Sequence, residues 1–263
     1  MTTTIALAGK GGVGKTTFAA LLIKYLIESG AGSILAIDAD PSANLNLALG
    51  LPLEQTIGDI REGMLENINK VDGSLNGRPG LSKFDYLDME IEYALSEGEQ
   101  VDLLAMGRPE GPGCYCAVNH ILRDIVDRLG RSYDFVVIDN EAGLEHLSRR
   151  TTRDVDVLYV ITDPTVRGVV AAGRVAELRN ELDINIAQAW LVVNRVTGEL
   201  SPALTQAIAG LNIPLAGTIP ADAAVTAADA DGRPLVELGP ESTIYRSVQA
   251  IVQKTLVENA HTI

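Results

Sequence analysis

"GKGGVGKTT", residues 9–17, decides how this chain is read. It fits the pattern G-x-x-x-x-G-K-[ST] in full. It directly follows the apolar run "TTIALAG" (3–9) and leads into the helically spaced "TFAALLIKYLIESG" (17–30). Strand, glycine-rich turn and helix in that order make a phosphate-binding loop. Around Gly9, Gly11, Gly12, Val13 and Gly14, successive backbone N–H groups can converge on phosphate oxygens, and the helix start adds a favourable dipole. Lys15 is placed to neutralise the β- and γ-phosphates, the Thr16 hydroxyl to ligate Mg²⁺, and Thr17 to lie near the α-phosphate. The cofactors implied are ATP or ADP with Mg²⁺.

Outward from this loop the chain alternates. "SILAIDAD" (33–40), "EQVDLLAMG" (99–107), "YDFVVIDN" (133–140), "VDVLYVITD" (155–163), "IAQAWLVVNR" (186–195) and "IPLAGTIP" (213–220) are further apolar runs, with helical spacing between them. Continuous apolar runs bounded by loops are strands buried on both faces. The expectation is α/β: a doubly wound, mainly parallel sheet with helices on both sides and its site at the carboxyl ends of the strands. Hydrophobic residues make up 46% of the 263 and aromatics 4%, so the core is aliphatic, as a helix-covered parallel sheet requires. The expected organisation is one P-loop ATPase domain over 1–263. Within it, 54–98 is polar and carries Gly58, Gly63, Gly73, Gly77, Gly80 and Gly98, which reads as an irregular insertion.

Two strand ends carry acids. "IDADP" (37–41) contains Asp38 and Asp40, and "VVIDNEAG" (136–143) sets Asp139 after four apolar residues, the Walker B pattern. Carboxylates there hold magnesium-bound water and orient the attacking water. Lys10 puts a second cation inside the loop, and the K-G-G-x-G-K arrangement resembles the deviant Walker A class that includes MinD, ParA, ArsA and the nitrogenase iron protein. That resemblance implies a homodimer closing around two ATP molecules, with Lys10 reaching the partner's nucleotide. It assigns the hydrolytic role to Asp40, makes 140–146 the second switch, and gives base recognition to Asn194 of "LVVNR" (191–195) and to Pro220 and Asp222 of "IPAD" (219–222).

The chain's two cysteines, Cys114 and Cys116, stand one residue apart in "RPEGPGCYCAVNH" (108–120), before the helically spaced "AVNHILRDIVDRL" (117–129). A helix N-terminus lowers a thiol's pKa. Two thiolates are half of a tetrahedral site, and His120, His146 and His261 are scattered. Across a two-fold axis, however, two such pairs supply four soft ligands for Zn²⁺, Ni²⁺ or an iron–sulfur cluster. "GRPEGPGCYC" (107–116) and "DNEAGLEHLSRRT" (139–151), with Lys10 and Lys15, resemble the CooC-type ATPases, which help insert nickel into carbon monoxide dehydrogenase. The resemblance implies a metallochaperone that binds nickel, or zinc, at a shared Cys114/Cys116 site and serves carbon monoxide dehydrogenase or the related acetyl-CoA synthase.

A net charge of −14 repels phosphate backbones and anionic lipid, which argues against nucleic acid and membrane as partners. Two cysteines and no apolar run of about 18 residues suit a cytoplasmic protein. Two rival readings remain: an iron–sulfur electron-transfer ATPase of the nitrogenase iron protein type, and a ParA/MinD-like positioning ATPase. The latter needs a basic or membrane-binding face. "STIYRSVQAIVQKTLVENAHTI" (242–263) has only Arg246 and Lys254 as basic residues and reads as a packed closing helix.

Overall fold

In the computed structural model, residues 2–68, 82–108, 116–141, 154–178 and 185–257 are described. Seven strands, β1 (Thr3–Ala8), β2 (Ile34–Asp38), β3 (Val101–Ala105), β4 (Phe135–Asp139), β5 (Asp154–Thr162), β6 (Asn185–Val196) and β7 (Leu215–Pro220), form one sheet. Its order is β3-β2-β4-β1-β5-β6-β7, and every pairing is parallel. The strand order reverses beside β1, so the crevice of this doubly wound sheet opens where the phosphate-binding loop leaves β1.

Successive strand residues face opposite sides. Ile5 and Leu7 of β1 and Ile34 and Ala36 of β2 join one core, while Ala6 and Ala8, and Leu35 and Ile37, join the other. The first core is covered by α1 (Lys15–Glu28), α2 (Leu45–Leu49), α8 (Ala223–Asp231) and α9 (Thr243–Val257). The second is covered by α3 (Ile57–Ile68), α4 (Lys83–Ala94), α5 (Cys116–Gly130) and α6 (Val166–Leu178), with α7 (Pro202–Ala209) packed on α6.

The polar stretch read as an irregular insertion carries two helices instead. In α3, Ile57, Ile60 and Met64 recur at helical spacing and are buried, as are Leu87, Ile91 and Ala94 in α4. Both start on side-chain caps. Thr56 and Asp59 bond reciprocally (Asp59 N–H to Thr56 Oγ1 3.2 Å, Thr56 N–H to Asp59 Oδ2 2.8 Å), and Ser82 Oγ accepts from Asp85 N–H at 3.1 Å. Glycine content and polarity concealed two amphipathic helices whose caps are short and acidic. Residues 69–81 between them lie outside the described residues.

One pillar joins sheet, α1 and α9. Tyr159, fully buried in β5, stands 5.0 Å ring to ring from Phe18 of α1. Its hydroxyl meets that of Thr255 in α9. The Thr255 hydroxyl proton goes to Ile251 O at 2.8 Å, so Tyr159 is the donor in that pair. Thr255→Val leaves the Tyr159 hydroxyl buried and unpaired, at about 1–3 kcal/mol, whereas Tyr159→Phe costs about 1 kcal/mol. In urea unfolding the double variant should be no less stable than Thr255→Val alone. Strictly additive losses would show that the two hydroxyls are not coupled.

Candidate active site

The loop between β1 and α1 is held at three points. At Gly9 (φ +145°) a Cβ would sit 2.1 Å from the Ile161 carbonyl oxygen, so only glycine lets β1 end this close to β5. At Gly14 (φ +95°), the residue before α1, a Cβ would meet the Asn194 amide at 2.4 Å. That amide donates to Val13 O at 2.8 Å, fixing the far side of the loop. Among the described residues nothing comes within 4 Å of where a Cβ on Gly11 or Gly12 would lie, which leaves the open cradle an anion requires.

Lys15, Thr16 and Thr17 open α1. Lys15 is buried and donates from Nζ to Lys10 O at 3.3 Å, folded back on its own loop, while Lys10 itself is exposed. Burial lowers the Lys15 pKa, against the opposing pull of Asp139, Asp40 and Glu141. Asp38 and Asp139 lie side by side at the ends of β2 and β4, in register. The Thr16 hydroxyl donates to Asp139 Oδ2 at 2.6 Å, and among the described residues Asp139 Oδ1 is buried without a hydrogen-bond partner. A lone buried carboxylate oxygen beside a hydroxyl oxygen is a hard donor set that suits Mg²⁺. Thr16 and Asp139 would therefore hold the ion, directly or through water.

The other predicted residues are placed less simply. Both Asp38 oxygens accept backbone N–H groups, from Asp40 at 3.0 Å and Leu45 at 2.9 Å, so this carboxylate, expected to hold magnesium-bound water, pins the 38–45 loop. Asp40 Oδ1 takes Ser42 N–H at 2.9 Å and the Ser42 hydroxyl, leaving Oδ2 outside those bonds. Asn194, assigned to the base, is engaged at both ends, since its Oδ1 accepts Arg195 N–H at 2.8 Å. It still lines a cavity of about 490 Å³ with Thr17, Pro220 and Asp222, of a size to take a nucleoside. Asp222 caps α8 through Ala224 N–H at 2.8 Å and also accepts from Ile244 N–H at 3.2 Å, so it holds that wall by both oxygens. Cys116 is the first residue of α5; its side chain and all of Cys114 lie outside the described residues.

Two features escaped the sequence. Arg195 lines the same cavity with a left-handed backbone (φ +57°), and Ala43 in the 38–45 loop is left-handed too (φ +45°). Both cost strain that ordinary loops avoid. Neither residue type announces such a backbone. Among the described residues no helix is long and apolar enough to cross a membrane.

The CobQ/CobB/MinD/ParA nucleotide binding domain (CbiA) matches residues 4–235. The chain belongs to that family. It is an ATPase of the MinD/ParA type, using ATP and ADP with Mg²⁺. An uncharacterized ATP-binding protein of Methanocaldococcus jannaschii is 44% identical over 252 residues, 96% of this chain and 98% of that one. The carbon monoxide dehydrogenase accessory protein CooC of Rhodospirillum rubrum is 32% identical over 247 residues, 90% of each chain. Among solved structures, septum site-determining protein MinD of Pyrococcus horikoshii, complexed with Mg-ADP, superposes with a TM-score of 0.66 at 24% identity over the whole of both chains, a likeness of fold.

In this MinD/ParA-type ATPase, burial pushes the Asp139 carboxyl up to about 7, with Asp38 and Asp40 adding to the rise and the Thr16 hydroxyl and Lys15 opposing it. A carboxyl raised on folding binds protons more tightly in the native state. Its contribution is fully present below its ordinary 3.8 and is lost as pH rises to about 7. Asp139→Asn has no such titration. The stability difference, variant minus wild type, should therefore grow from pH 4 to pH 7 in ligand-free protein and level off above. A flat difference would show that Asp139 is ionised throughout.

Proposed function

We propose that this ATPase is a CooC-type metallochaperone, which carries nickel on thiolates shared across a homodimer to carbon monoxide dehydrogenase or a kindred nickel enzyme. The observation that carries the reading is the Cys-x-Cys pair of the sequence, Cys114 and Cys116, in a chain 32% identical to a carbon monoxide dehydrogenase accessory protein over 90% of its length. Nickel is cargo here, held by soft sulfur ligands.

Each residue has a task in this reading. The loop N–H groups and Lys15 take the phosphates, so Lys15 leaves Lys10 O when nucleotide enters. Thr16 and Asp139 would hold Mg²⁺, which would supply positive charge against the phosphates. Asp40, with its remaining oxygen, orients water toward the γ-phosphate, and the partner's copy of the Lys10 side chain adds a cation that one protomer lacks. Pro220, Asp222 and Asn194 border the base. Closing the dimer brings two cysteine pairs together, and hydrolysis opens it so that the metal leaves.

A second reading, a MinD-like positioning ATPase, is supported by the family match and by the likeness of fold to MinD. Metal binding separates the two. Equilibrium dialysis with nickel should give one ion per two chains, tighter as protein concentration rises. Cys114→Ala and Cys116→Ala should each abolish tight binding and leave ATP binding intact, because symmetry removes two of four ligands at once. Affinity should fall at acid pH as protons compete for the thiolates. Binding of no ion, or of one per chain regardless of concentration, would favour the positioning reading; a brown protein absorbing broadly near ~400 nm would indicate an iron–sulfur cluster instead.

The hydrolytic roles are tested separately. Asp40→Ala should keep ATP bound while slowing hydrolysis by about 10²–10⁴-fold, the usual worth of a group that positions the attacking water. Lys15→Ala should abolish hydrolysis. Lys10→Ala should weaken ATP-dependent dimerisation in size measurements while sparing ADP binding by the monomer. Wild-type turnover in Asp40→Ala would return that residue to the loop turn it forms with Ser42.

A further inference from the structure

Asn140 follows Asp139 at the end of β4, and neither the phosphate-binding loop nor the acids explain it. It is fully buried, with none of its surface exposed. Its Nδ2 donates to Leu7 O at 2.8 Å, while its Oδ1 is buried with no hydrogen-bond partner among the described residues. Leu7 is the β1 residue paired in register with Asp139 and lies two residues before Gly9. Of its two polar ends only the donor is engaged, and what that donor does is satisfy the Leu7 carbonyl, which leucine at this position would leave unpaired.

The donor's placement shows its use. Backbone pairing of β4 with β1 runs from Phe135 to Asp139 and stops there. The Asn140 side chain then reaches β1 where a further backbone bond would have bound the chain. On the opposite flank Asp139 O accepts Ala39 N–H at 2.9 Å, tying the same strand end to the 38–45 loop. Asp139 is thus gripped on both sides, by the start of the 38–45 loop through its carbonyl and by β1 through the neighbouring amide.

We propose that Asn140 is a positioning residue for magnesium-dependent nucleotide binding: its amide holds Asp139 in register with the phosphate-binding loop. This rests on the assignment of Thr16 and Asp139 to the metal. Without the donor, Leu7 O loses its partner, β4 separates from β1 at its last residue, and the 2.6 Å contact of Asp139 with Thr16 loosens. The loss falls on the step that needs Asp139. Phosphate binding by the loop does not need it.

The test measures ADP affinity with Mg²⁺ and with EDTA by calorimetry, in full-length wild type, Asn140→Leu, Asn140→Gln and Asp139→Asn, with urea unfolding of each. Asn140→Leu should reduce the Mg²⁺-dependent gain in affinity about tenfold and leave the affinity in EDTA unchanged. Asn140→Gln, which keeps a donor on a longer arm, should recover part of the gain, and it serves as the measured variant should Asn140→Leu not fold. A full magnesium gain in both Asn140 variants, or equal loss with and without Mg²⁺, would overturn the positioning role. Asp139→Asn is the control. If it keeps the wild-type gain, the metal assignment fails; if it loses the gain and the Asn140 variants do not, the inference about Asn140 alone fails.

Discussion

The contact between Gly9 and the Ile161 carbonyl is the constraint on which the rest of the site depends. With a built Cβ only 2.1 Å from that oxygen, the end of β1 sits against the backbone of β5 with no room for a side chain. The approach sets the height of the phosphate-binding loop over the sheet. It also sets where α1 begins, and so where Lys15 and Thr16 point. The Asn194 amide braces the same loop from β6 through Val13 O at 2.8 Å. The loop is therefore a preformed cradle between two strands, and binding phosphate there calls for little reordering of backbone.

Against this fixed cradle the two acidic strand ends behave differently. Asp139 has one oxygen on Thr16 and one without a partner, in surroundings dry enough to hold its proton to about 7. Asp38, its neighbour in register, spends both oxygens on the backbone of its own loop. One acid is left available for a cation and the other is consumed by architecture. Equivalent strand ends thus acquire unlike chemistry from the hydrogen bonds around them.

That difference marks the limit of what the sequence disclosed. All seven strands were legible because buried parallel strands are continuous apolar runs, and the loop was legible because its glycines and lysine have fixed spacing. The helices of 54–98 were missed because glycine and charge were weighed there in place of the Thr56–Asp59 and Ser82–Asp85 caps. A residue's type shows that it can bind a metal, base or phosphate, but not whether its polar atoms are already engaged. Asn194 and Asp222 have the right chemistry for a nucleoside, yet both hold up walls of the cavity with the atoms that would recognise it. The converse holds for Asn140, whose buried donor no apolar pattern could reveal.

The pillar of Phe18, Tyr159 and Thr255 has a dynamic consequence. It seats the middle of α1 between the sheet and α9, so that helix cannot fray from its first turn without taking the C-terminal helix along. The amides of residues 18–26 should then exchange with solvent only through global unfolding, although they begin just beyond the loop that admits nucleotide. In this chain the loop that admits nucleotide thus adjoins, within a few residues, a helix tied to both the sheet and α9.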